Sequence, residues 1–141
     1  MERNELNIKL KEVLDMTVFS QILEMDEEEA RESSSTALYG FLERGKEKVD
    51  FMEIALSKRD FVSLMSNNDS LQQCAVALGF RKFYDSCENI RRTSAILSLH
   101  GEFAEAIEIF RLTLIKEEIS NLNGSFLAAR TTIDFFYKDR S

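Results

Sequence analysis

The side chains that could carry chemistry in this chain are few and far apart. The sequence has a single histidine, His100, and two cysteines, Cys74 and Cys87. Structural zinc sites pair their cysteines roughly two to four residues apart, and these two are far more widely spaced. Catalysis by a cysteine and a histidine would also need an orienting group and an oxyanion hole, and no pattern here supplies them. The sequence therefore predicts no metal site, no cofactor and no cysteine-dependent catalysis.

No pattern in the sequence supports nucleotide hydrolysis or general acid–base catalysis either. The sequence lacks a glycine-rich phosphate loop of the G-x-x-x-x-G-K-S/T type. Its 25 acidic residues are scattered over polar positions, so no carboxylate pair stands out as a general acid and base. His100 lies in SLHGEF, at a junction between two predicted helices, where a histidine can bond the last helical carbonyls. We therefore interpret the chain as a protein without enzymatic activity.

Composition predicts one helical domain. The chain has 141 residues, a hydrophobic fraction of 44% and 11 phenylalanines, which is enough for one sizeable core. Proline is absent and only five residues are glycine, so long helices meet few breakers and the turns of an all-β protein are missing. The net charge of −7, without a basic cluster, argues against nucleic-acid binding.

The sequence also indicates the cellular compartment in which the protein is expected. Both cysteines lie inside apolar periodic segments, where reduced and packed thiols are expected. The first residues, MERNELNIKL, lack the apolar core of a secretory signal peptide, and no apolar run approaches the ~20 residues that span a bilayer. We therefore expect a cytoplasmic or nuclear protein with no membrane contact.

Helix signals divide the first half of the chain. Residues 1–12 are polar and predict a frayed or weakly helical segment. A short helix follows, capped by Asp15 or Thr17, and the acidic run at 26–29 then predicts a solvated turn. The SSST stretch at 33–36 offers N-caps for a second helix. Apolar residues at helical spacing define the buried stripe of that helix: Leu38, Phe41, Leu42, Val49, Met52 and Leu56.

Further helical stripes follow along the chain. Asp60 can cap a third helix, and Gly79 permits the chain to turn after it. A fourth helix begins near Arg81 and ends near His100. The last segment, from 102 to 138, has two apolar stripes offset by one residue, which predicts two helices or one long bent helix. The apolar positions are Val62 or Leu64, Leu71, Ala75 and Leu78; Phe83, Cys87, Ile90 and Leu97; Phe103, Ile107, Phe110 and Leu114; and Ile115, Ile119, Leu122, Phe126, Ala129, Ile133 and Phe136.

The order of these helices predicts the architecture. Short connections between consecutive helices favour antiparallel neighbours. The predicted fold is therefore all-α, an up-and-down four-helix bundle with a short additional N-terminal helix packed across one end. We divide the chain into a polar N-terminal segment, 1–12, and a single helical-bundle domain, 13–141.

Three segments of the chain resemble one known family, in that family's order. VLDMTVFSQILEMDEEE resembles the short first helix of the histidine phosphotransfer (HPt) proteins of fungal phosphorelays. SLQQCAVALGFRKFYDSCENIRR resembles the second half of their phosphosite helix, the LG turn and the next helix. LNGSFLAARTTIDFFYKD resembles their final helix, which ends in aromatic residues. Together these segments span nearly all of residues 13–138, so the resemblance implies the HPt bundle fold.

The same resemblance implies that the phosphorylation site is lost. Counting back from Leu78 and Gly79, the place of the family's phosphorylated histidine falls on Asp69. The place of its lysine falls on Gln72, and that of its glycine falls on Gln73. A carboxylate is a poor phosphoryl carrier, a neutral amide cannot steady the phosphoryl charge as lysine does, and glutamine adds bulk where glycine allows close approach. We therefore expect a degenerate member of the family, a pseudo-HPt protein.

The resemblance also implies a partner and a docking surface. Members of the family exchange phosphoryl groups with receiver domains, so the expected partner is the receiver of a response regulator or of a hybrid histidine kinase. A silent module that docks such a receiver would compete with an active phosphorelay intermediate. The positions that match the family's docking surface are Val18, Ile22, Met25, Met65, Asp69, Gln72 and Gln73. Arg91, on the next helix, is expected to lie near Asp69 and to belong to the same partner-binding surface.

Two other interpretations remain open. The bundle could be a structural or adaptor subunit of an assembly unrelated to phosphorelays, with the apolar stripes of the last segment serving partner helices. Alternatively, Asp69 could retain residual phosphoryl transfer, although the supporting groups are missing.

Overall fold

The computed structural model describes residues 2–26, 32–95 and 104–138. Their helices are α1 (Arg3–Val13), α2 (Met16–Leu23), α3 (Glu32–Ser57), α4 (Phe61–Leu78), α5 (Arg81–Ala95) and α6 (Ala104–Lys138). No strand occurs within these ranges, and the predicted all-α class is confirmed.

The bundle is a ring of four long helices. α3 packs against α4, α4 against α5, α5 against α6, and α6 back against α3. Short turns at 58–60 and 79–80 make α3, α4 and α5 antiparallel in turn. α2 contacts α3 and α4, and the Asp15 N–H donates to the Gly79 carbonyl (2.7 Å) where α4 ends. The predicted up-and-down bundle with an additional N-terminal helix is thereby confirmed.

The first residues of the chain differ from the prediction. The sequence predicts a frayed or weakly helical segment over 1–12, whereas the structure has the regular helix α1, which packs against α6. Leu6, Leu10 and Leu14 recur every four residues, are 6%, 2% and 0% exposed, and belong to the core. Most residues between these leucines are polar, and the apolar Ile8 is 58% exposed, so the buried face of α1 is narrow and easily overlooked in the sequence.

Local sequence signals place the helix ends. The Asp15 carboxylate caps α2 by accepting the Thr17 N–H (3.0 Å). The Asp60 carboxylate caps α4 by accepting the Ser63 N–H (3.1 Å). α4 ends at Gly79, whose φ of 82° lies in the left-handed region that favours glycine. Both caps and the glycine turn are confirmed.

The start of α3 is held differently from the prediction. The described part of α3 already begins at Glu32, so the SSST stretch lies within the helix instead of capping it. The Asp26 carboxylate accepts the Ser34 N–H (2.7 Å) and the Ser34 hydroxyl (2.6 Å). Ser34 is fully buried, and its hydroxyl accepts a hydrogen bond from Tyr137 of α6 (2.7 Å). Asp26 is therefore a structural group and not part of a solvated turn; the rest of the acidic run, 27–29, lies outside the described residues.

A cluster of four phenylalanines fills the centre of the bundle. Phe41 of α3 stacks on Phe80 of the α4–α5 turn, with ring centroids 4.4 Å apart. Phe83 of α5 meets Phe41 and Phe126 of α6 edge-on, at 5.2 and 4.5 Å. Gly45 brings α3 close to this cluster, because a Cβ at that position would lie 2.7 Å from Phe126 Cζ. We refer to these four residues as the phenylalanine cluster.

The predicted buried stripes of α3 to α6 are mostly confirmed. In α4 the alternative Leu64 is buried, and Val62 is 83% exposed. The last segment is one helix, α6, and its early stripe does not reach the core, since Phe110 is 64% exposed. Three predicted positions lie outside the described residues: Leu97, His100 and Phe103.

Candidate protein-docking site

Asp69 lies in the middle of α4, on the flank that faces α5. Leu64, Leu71 and Ala75 form the side of α4 that is buried in the core. Asp69 is turned about 100° around the helix from the buried Asn68, and its side chain remains 42% exposed. The position that the sequence assigns to the lost phosphosite is therefore open to solvent.

An ion pair occupies this position. Arg91 of α5 donates from Nη2 to Asp69 Oδ1 at 2.9 Å, so the two residues are neighbours as the sequence predicts. The Arg91 side chain is 50% exposed. Both groups keep much of their hydration, and pairs of this kind contribute only about 0.2–1 kcal/mol of stability. The pair nevertheless orients the Asp69 carboxylate and offsets its charge.

Gln72 lies closer to the core than the sequence suggests. It is 6% exposed, because it follows the buried Asn68 by one helical turn and faces α5. Its Nε2 donates to Glu88 Oε2 at 2.9 Å. This hydrogen bond lowers the pKa of Glu88, and the charges of Arg92 and Arg91 act in the same direction. Gln72 therefore joins α4 to α5 and presents little surface to a partner.

A buried amide sets the register of α4 against α5. Asn68 is fully buried, and its Nδ2 donates to the Cys87 carbonyl at 2.9 Å. Burial raises the pKa of the Cys87 thiol to about 12, so this cysteine is the packed, unreactive thiol that the sequence predicts. Cys74 is also free but is exposed on α4, contrary to the prediction, because it lies away from the buried stripe of that helix.

The contacts between α4 and α5 follow a simple rule in the sequence. Asp69 and Arg91 are each eleven residues from Phe80, and Gln72 and Glu88 are each eight residues from it. Residues equidistant from the turn of an antiparallel helix pair lie at the same height. Arg91 was expected near Asp69, whereas Glu88 was not expected beside Gln72, although this symmetry identifies it.

The remaining predicted docking residues differ in exposure. Met25, just after α2, is 55% exposed, and Gln73 is exposed on α4. Val18 and Met65 are half-buried and pack against the core. These four side chains leave at least part of their surface to solvent.

The predicted docking surface is wrong at two positions: it includes Ile22, which is buried, and omits Val76, which is exposed. Ile22 is 6% exposed, because it shares the inner face of α2 with Phe19, so it belongs to the core. Val76 was missed; it is 58% exposed and follows Gln73 by three residues and Asp69 by seven. That helical spacing, which places residues on one face, would have identified it.

Other site chemistry is limited in the part of the chain that the structure describes. There, no three histidine, cysteine, aspartate or glutamate side chains come together in a way that could hold a metal ion. α4 itself contains no histidine, lysine or arginine. None of the described helices is both long and apolar enough to cross a membrane.

The fold and this site define a class of protein: an all-α up-and-down bundle in which a half-exposed polar pair joins two neighbouring helices. The chain is 29% identical over 135 residues to multistep phosphorelay regulator 1 of Schizosaccharomyces pombe (strain 972). The match covers 95% of this chain and 46% of that protein, so the chain spans less than half the length of the curated relative. No protein-family model matches the chain. The similarity to a protein named for a phosphorelay supports the resemblance to HPt proteins.

Proposed function

We propose that this chain is an HPt-like binding module that docks a receiver domain, of a response regulator or a hybrid histidine kinase, without carrying a phosphoryl group. The observation that carries the proposal is the pair of Asp69 and Arg91, 2.9 Å apart, at the place that the resemblance assigns to the phosphorylated histidine. The similarity to a phosphorelay regulator supports the choice of partner. Bound to a receiver, the chain would compete with an active phosphorelay intermediate.

The surroundings of Asp69 disfavour transfer. Moving a phosphoryl group from an aspartyl phosphate to Asp69 would bring two anionic groups together, and oriented donors or cations would have to stabilise that charge. Arg91 is already engaged by Asp69, and the Gln72 amide is directed to Glu88. Gln73 adds a long side chain where the resemblance implies glycine. We therefore expect no residual transfer through Asp69.

Apolar side chains are expected to supply most of the binding free energy. Burying apolar surface contributes about 25 cal/mol per Å², whereas half-exposed ion pairs contribute little. Met25 and Val76 are 55% and 58% exposed; Met25 lies just after α2, and Val76 lies on α4. The proposed docking surface adds to these two the partly exposed and polar residues of α2, α4 and α5. Its members are Val18, Met25, Met65, Asp69, Gln73, Val76 and Arg91.

Charge mimicry of phosphohistidine is the weaker mechanism. Asp69 supplies one negative charge where a phosphoryl group carries nearly two, and Arg91 offsets part of it. Docking by apolar contacts predicts that Asp69→His retains receiver binding. Mimicry predicts that binding falls, most clearly at low salt, where surface charges are least screened. We expect binding to persist.

A phosphoryl-transfer assay tests the silent site. A receiver domain carrying radiolabelled phosphate is mixed with the wild-type chain and with Asp69→His/Gln72→Lys/Gln73→Gly, which restores all three positions. We expect no label on the wild type and acid-labile label on the variant. Asp85→His places a histidine at an exposed position of α5 and should stay unlabelled. Acid-labile label on the wild type would show a carrier, and its loss in His100→Ala would assign the group to that histidine.

Calorimetric titration with the same receiver tests the docking surface. Met25→Glu and Met65→Glu should each weaken binding by at least about tenfold, because a charge replaces an apolar contact. Ile109→Glu is the matched control, since Ile109 is 56% exposed on α6, outside the proposed surface. Ile22→Glu is unsuitable, because a charge at a 6% exposed position would destabilise the bundle. Binding that survives both methionine substitutions, in variants folded by circular dichroism, would exclude this surface.

A structural or adaptor role is the second candidate. It is favoured by a groove between α3 and α6, lined in part by Leu42, Phe126 and Leu127. If no receiver binds, this role takes precedence.

In either role we propose that the chain acts in the cytoplasm or nucleus, where its two free cysteines would stay reduced. Imaging of the tagged full chain tests this localisation.

A further inference from the structure

An open groove runs along the seam between α3 and α6. One part, of about 500 Å³, has Leu42 and Phe126 on its floor. Leu127 stands at its edge and is 72% exposed. A second part, of about 430 Å³, continues along the seam over Leu56 and Ile119. We call the two parts together the α3–α6 groove.

The α3–α6 groove lies on the far side of the bundle from Asp69. Asp69 and Arg91 join α4 to α5, and the ring order of the helices puts the seam between α3 and α6 opposite them. The neighbouring seam, between α5 and α6, is partly covered by α1. There Val13 of α1 lines a hollow together with Lys82 of α5 and Gly124 of α6. Among the helices described, none packs substantially against both α3 and α6. The α3–α6 groove is therefore open, whereas α1 partly covers the seam between α5 and α6.

A polar bridge holds the two sides of the groove at a set spacing. Lys46 of α3 donates to Asn123 Oδ1 of α6 at 2.5 Å. Asn123 Nδ2 in turn donates to Glu53 of α3 at 2.9 Å. Asn123 borders both parts of the groove, so the bridge crosses at their junction. The groove is therefore a defined feature of the bundle, framed by contacts between its two helices.

The two walls of the groove carry opposite charge. Glu43 and Glu53 of α3 line one wall. Lys116 and Arg130 of α6 line the other. The α3 wall also holds Lys46, but an ion pair at 3.3 Å one turn along its own helix offsets that charge. An occupant that matches this surface needs apolar side chains over each of the two parts, acidic groups toward α6 and basic groups toward α3.

We propose that the α3–α6 groove binds an amphipathic helix of a partner protein, with an acidic flank against α6 and a basic flank against α3. From Lys116 to Arg130 the seam extends about 21 Å, which is roughly four turns of helix. Apolar residues at i, i+3, i+4 and i+7 of such a helix fall on one face, as recognition of a helix in a groove requires. Turning the helix end for end exchanges its flanks, so the charged walls also set the direction in which the partner lies.

This inference does not rest on receiver docking. The groove and the Asp69 surface are on opposite sides of the bundle, so each can be occupied independently. A chain that binds one partner on each side would join two proteins. Loss of receiver binding would leave the groove proposal standing, and failure of the groove experiment would leave receiver docking untouched.

Three stapled helical peptides of about four turns provide the probe. All carry leucine at i, i+3, i+4 and i+7; one has a glutamate flank and a lysine flank, one has two glutamate flanks, and one has two lysine flanks. Fluorescence anisotropy with the full chain measures their affinities. The peptide with opposite flanks should bind at least about tenfold more tightly than either of the others, because only it matches both walls.

Variants of the chain locate the binding and test the charges. Leu127→Glu should weaken the preferred peptide by at least about tenfold, whereas Val62→Glu, at an 83% exposed position of α4, should not change it. Lys116→Glu/Arg130→Glu makes both walls acidic and should transfer the preference to the peptide with two lysine flanks.

Several outcomes would overturn the proposal. Equal affinity for the three peptides, no binding of any, or binding that Leu127→Glu leaves intact would each exclude a charge-selective helix site. Sedimentation equilibrium tests the competing occupant, a second copy of the chain. A concentration-dependent dimer that Leu127→Glu dissociates would assign the groove to self-association instead.

Discussion

The phenylalanine cluster and the polar seam between α4 and α5 are held together in different ways. In the cluster, rings from α3, α5, α6 and the α4–α5 turn lie in contact, and each side chain is at most 6% exposed. At the seam, Asp69 meets Arg91 and Gln72 meets Glu88 at 2.9 Å, and most of these groups remain in contact with water. Water can replace the partner of a half-exposed polar group but cannot fill the place of a buried ring.

The difference separates stability from binding chemistry. Residues of the cluster are needed for the bundle to exist, whereas residues of the seam can change type at little cost to the fold. This is how the bundle can persist although Asp69, Gln72 and Gln73 stand where the resemblance implies histidine, lysine and glycine. The comparison makes quantitative predictions, of which the largest concerns the cluster.

Phe41→Ala should lower the free energy of unfolding by about 3–5 kcal/mol, because the lost ring leaves a cavity among three others. Phe51→Ala is the matched control on the same helix; Phe51 is 56% exposed, and its loss should change stability by only about 0.5 kcal/mol. Urea unfolding followed by circular dichroism measures both. Equal losses would contradict the placement of Phe41 at the centre of the bundle.

Gly79→Ala should cost about 1–2 kcal/mol from the left-handed backbone alone. The new Cβ would also lie 3.0 Å from Val18 Cβ, which adds to the cost. Gly124→Ala is the opposite case, since nothing lies within 4 Å of its Cβ position, and it should stabilise the chain by up to about 1 kcal/mol. Thermal unfolding distinguishes the two signs, and a stabilising Gly79→Ala would show that the turn has another conformation.

The ion pair at the seam should contribute far less. A double-mutant cycle with Asp69→Asn and Arg91→Gln should give a coupling free energy of about 0.2–1 kcal/mol, because both side chains are about half exposed. The coupling should shrink as salt shortens the range of electrostatic interactions. A coupling above about 2 kcal/mol, beyond what exposed pairs supply, would mean that the seam stabilises the fold as the core does.

The smallest expected effect is a shift in one carboxyl titration. The Gln72 hydrogen bond holds the pKa of Glu88 below its ordinary value, so Gln72→Leu should raise that pKa. A lowered folded-state pKa contributes stability that is present above the unfolded-state pKa and lost as the pH falls through the folded-state value. In Gln72→Leu, the free energy of unfolding should therefore fall less steeply as the pH is lowered through the titration of Glu88.

Carbon-13 NMR of the Glu88 carboxyl measures the shift directly. Gln73→Leu is the matched control, because Gln73 is the exposed neighbour of Gln72 and its removal should leave the Glu88 titration unchanged. A Glu88 titration that does not move in Gln72→Leu would show that the hydrogen bond does not persist in solution.

Prediction from sequence succeeded where a signal acts within one helix. The carboxylates of Asp15 and Asp60 cap helices that begin one residue later, and Gly79 ends α4 with a positive φ. It failed where the partner lies elsewhere in the chain. The hydrogen bonds that Ser34 donates to Asp26 join residues eight apart in the chain, and the burial of α1 depends on its contact with α6, which the spacing of its leucines does not specify.

The candidate site shows the same division. Arg91 was correctly expected near Asp69, since the turn after α4 constrains which residues of α5 can meet α4. The inward position of Gln72 and the burial of Ile22 were not anticipated, because each lies at the edge of an apolar stripe. At such an edge, the neighbouring helix decides whether a side chain is covered.

By itself, the sequence determined the helices after α1, several of their ends and most of the faces they bury, because apolar spacing, caps and glycine act over a few residues. It also determined that α4 has no histidine to carry a phosphoryl group and no lysine to steady its charge. Only the tertiary structure decided that Asp69 is paired with Arg91 and that Leu127 stays exposed beside an open groove. Those outcomes depend on how helices distant in the chain lie against one another, and that arrangement is set by the packing of the whole core.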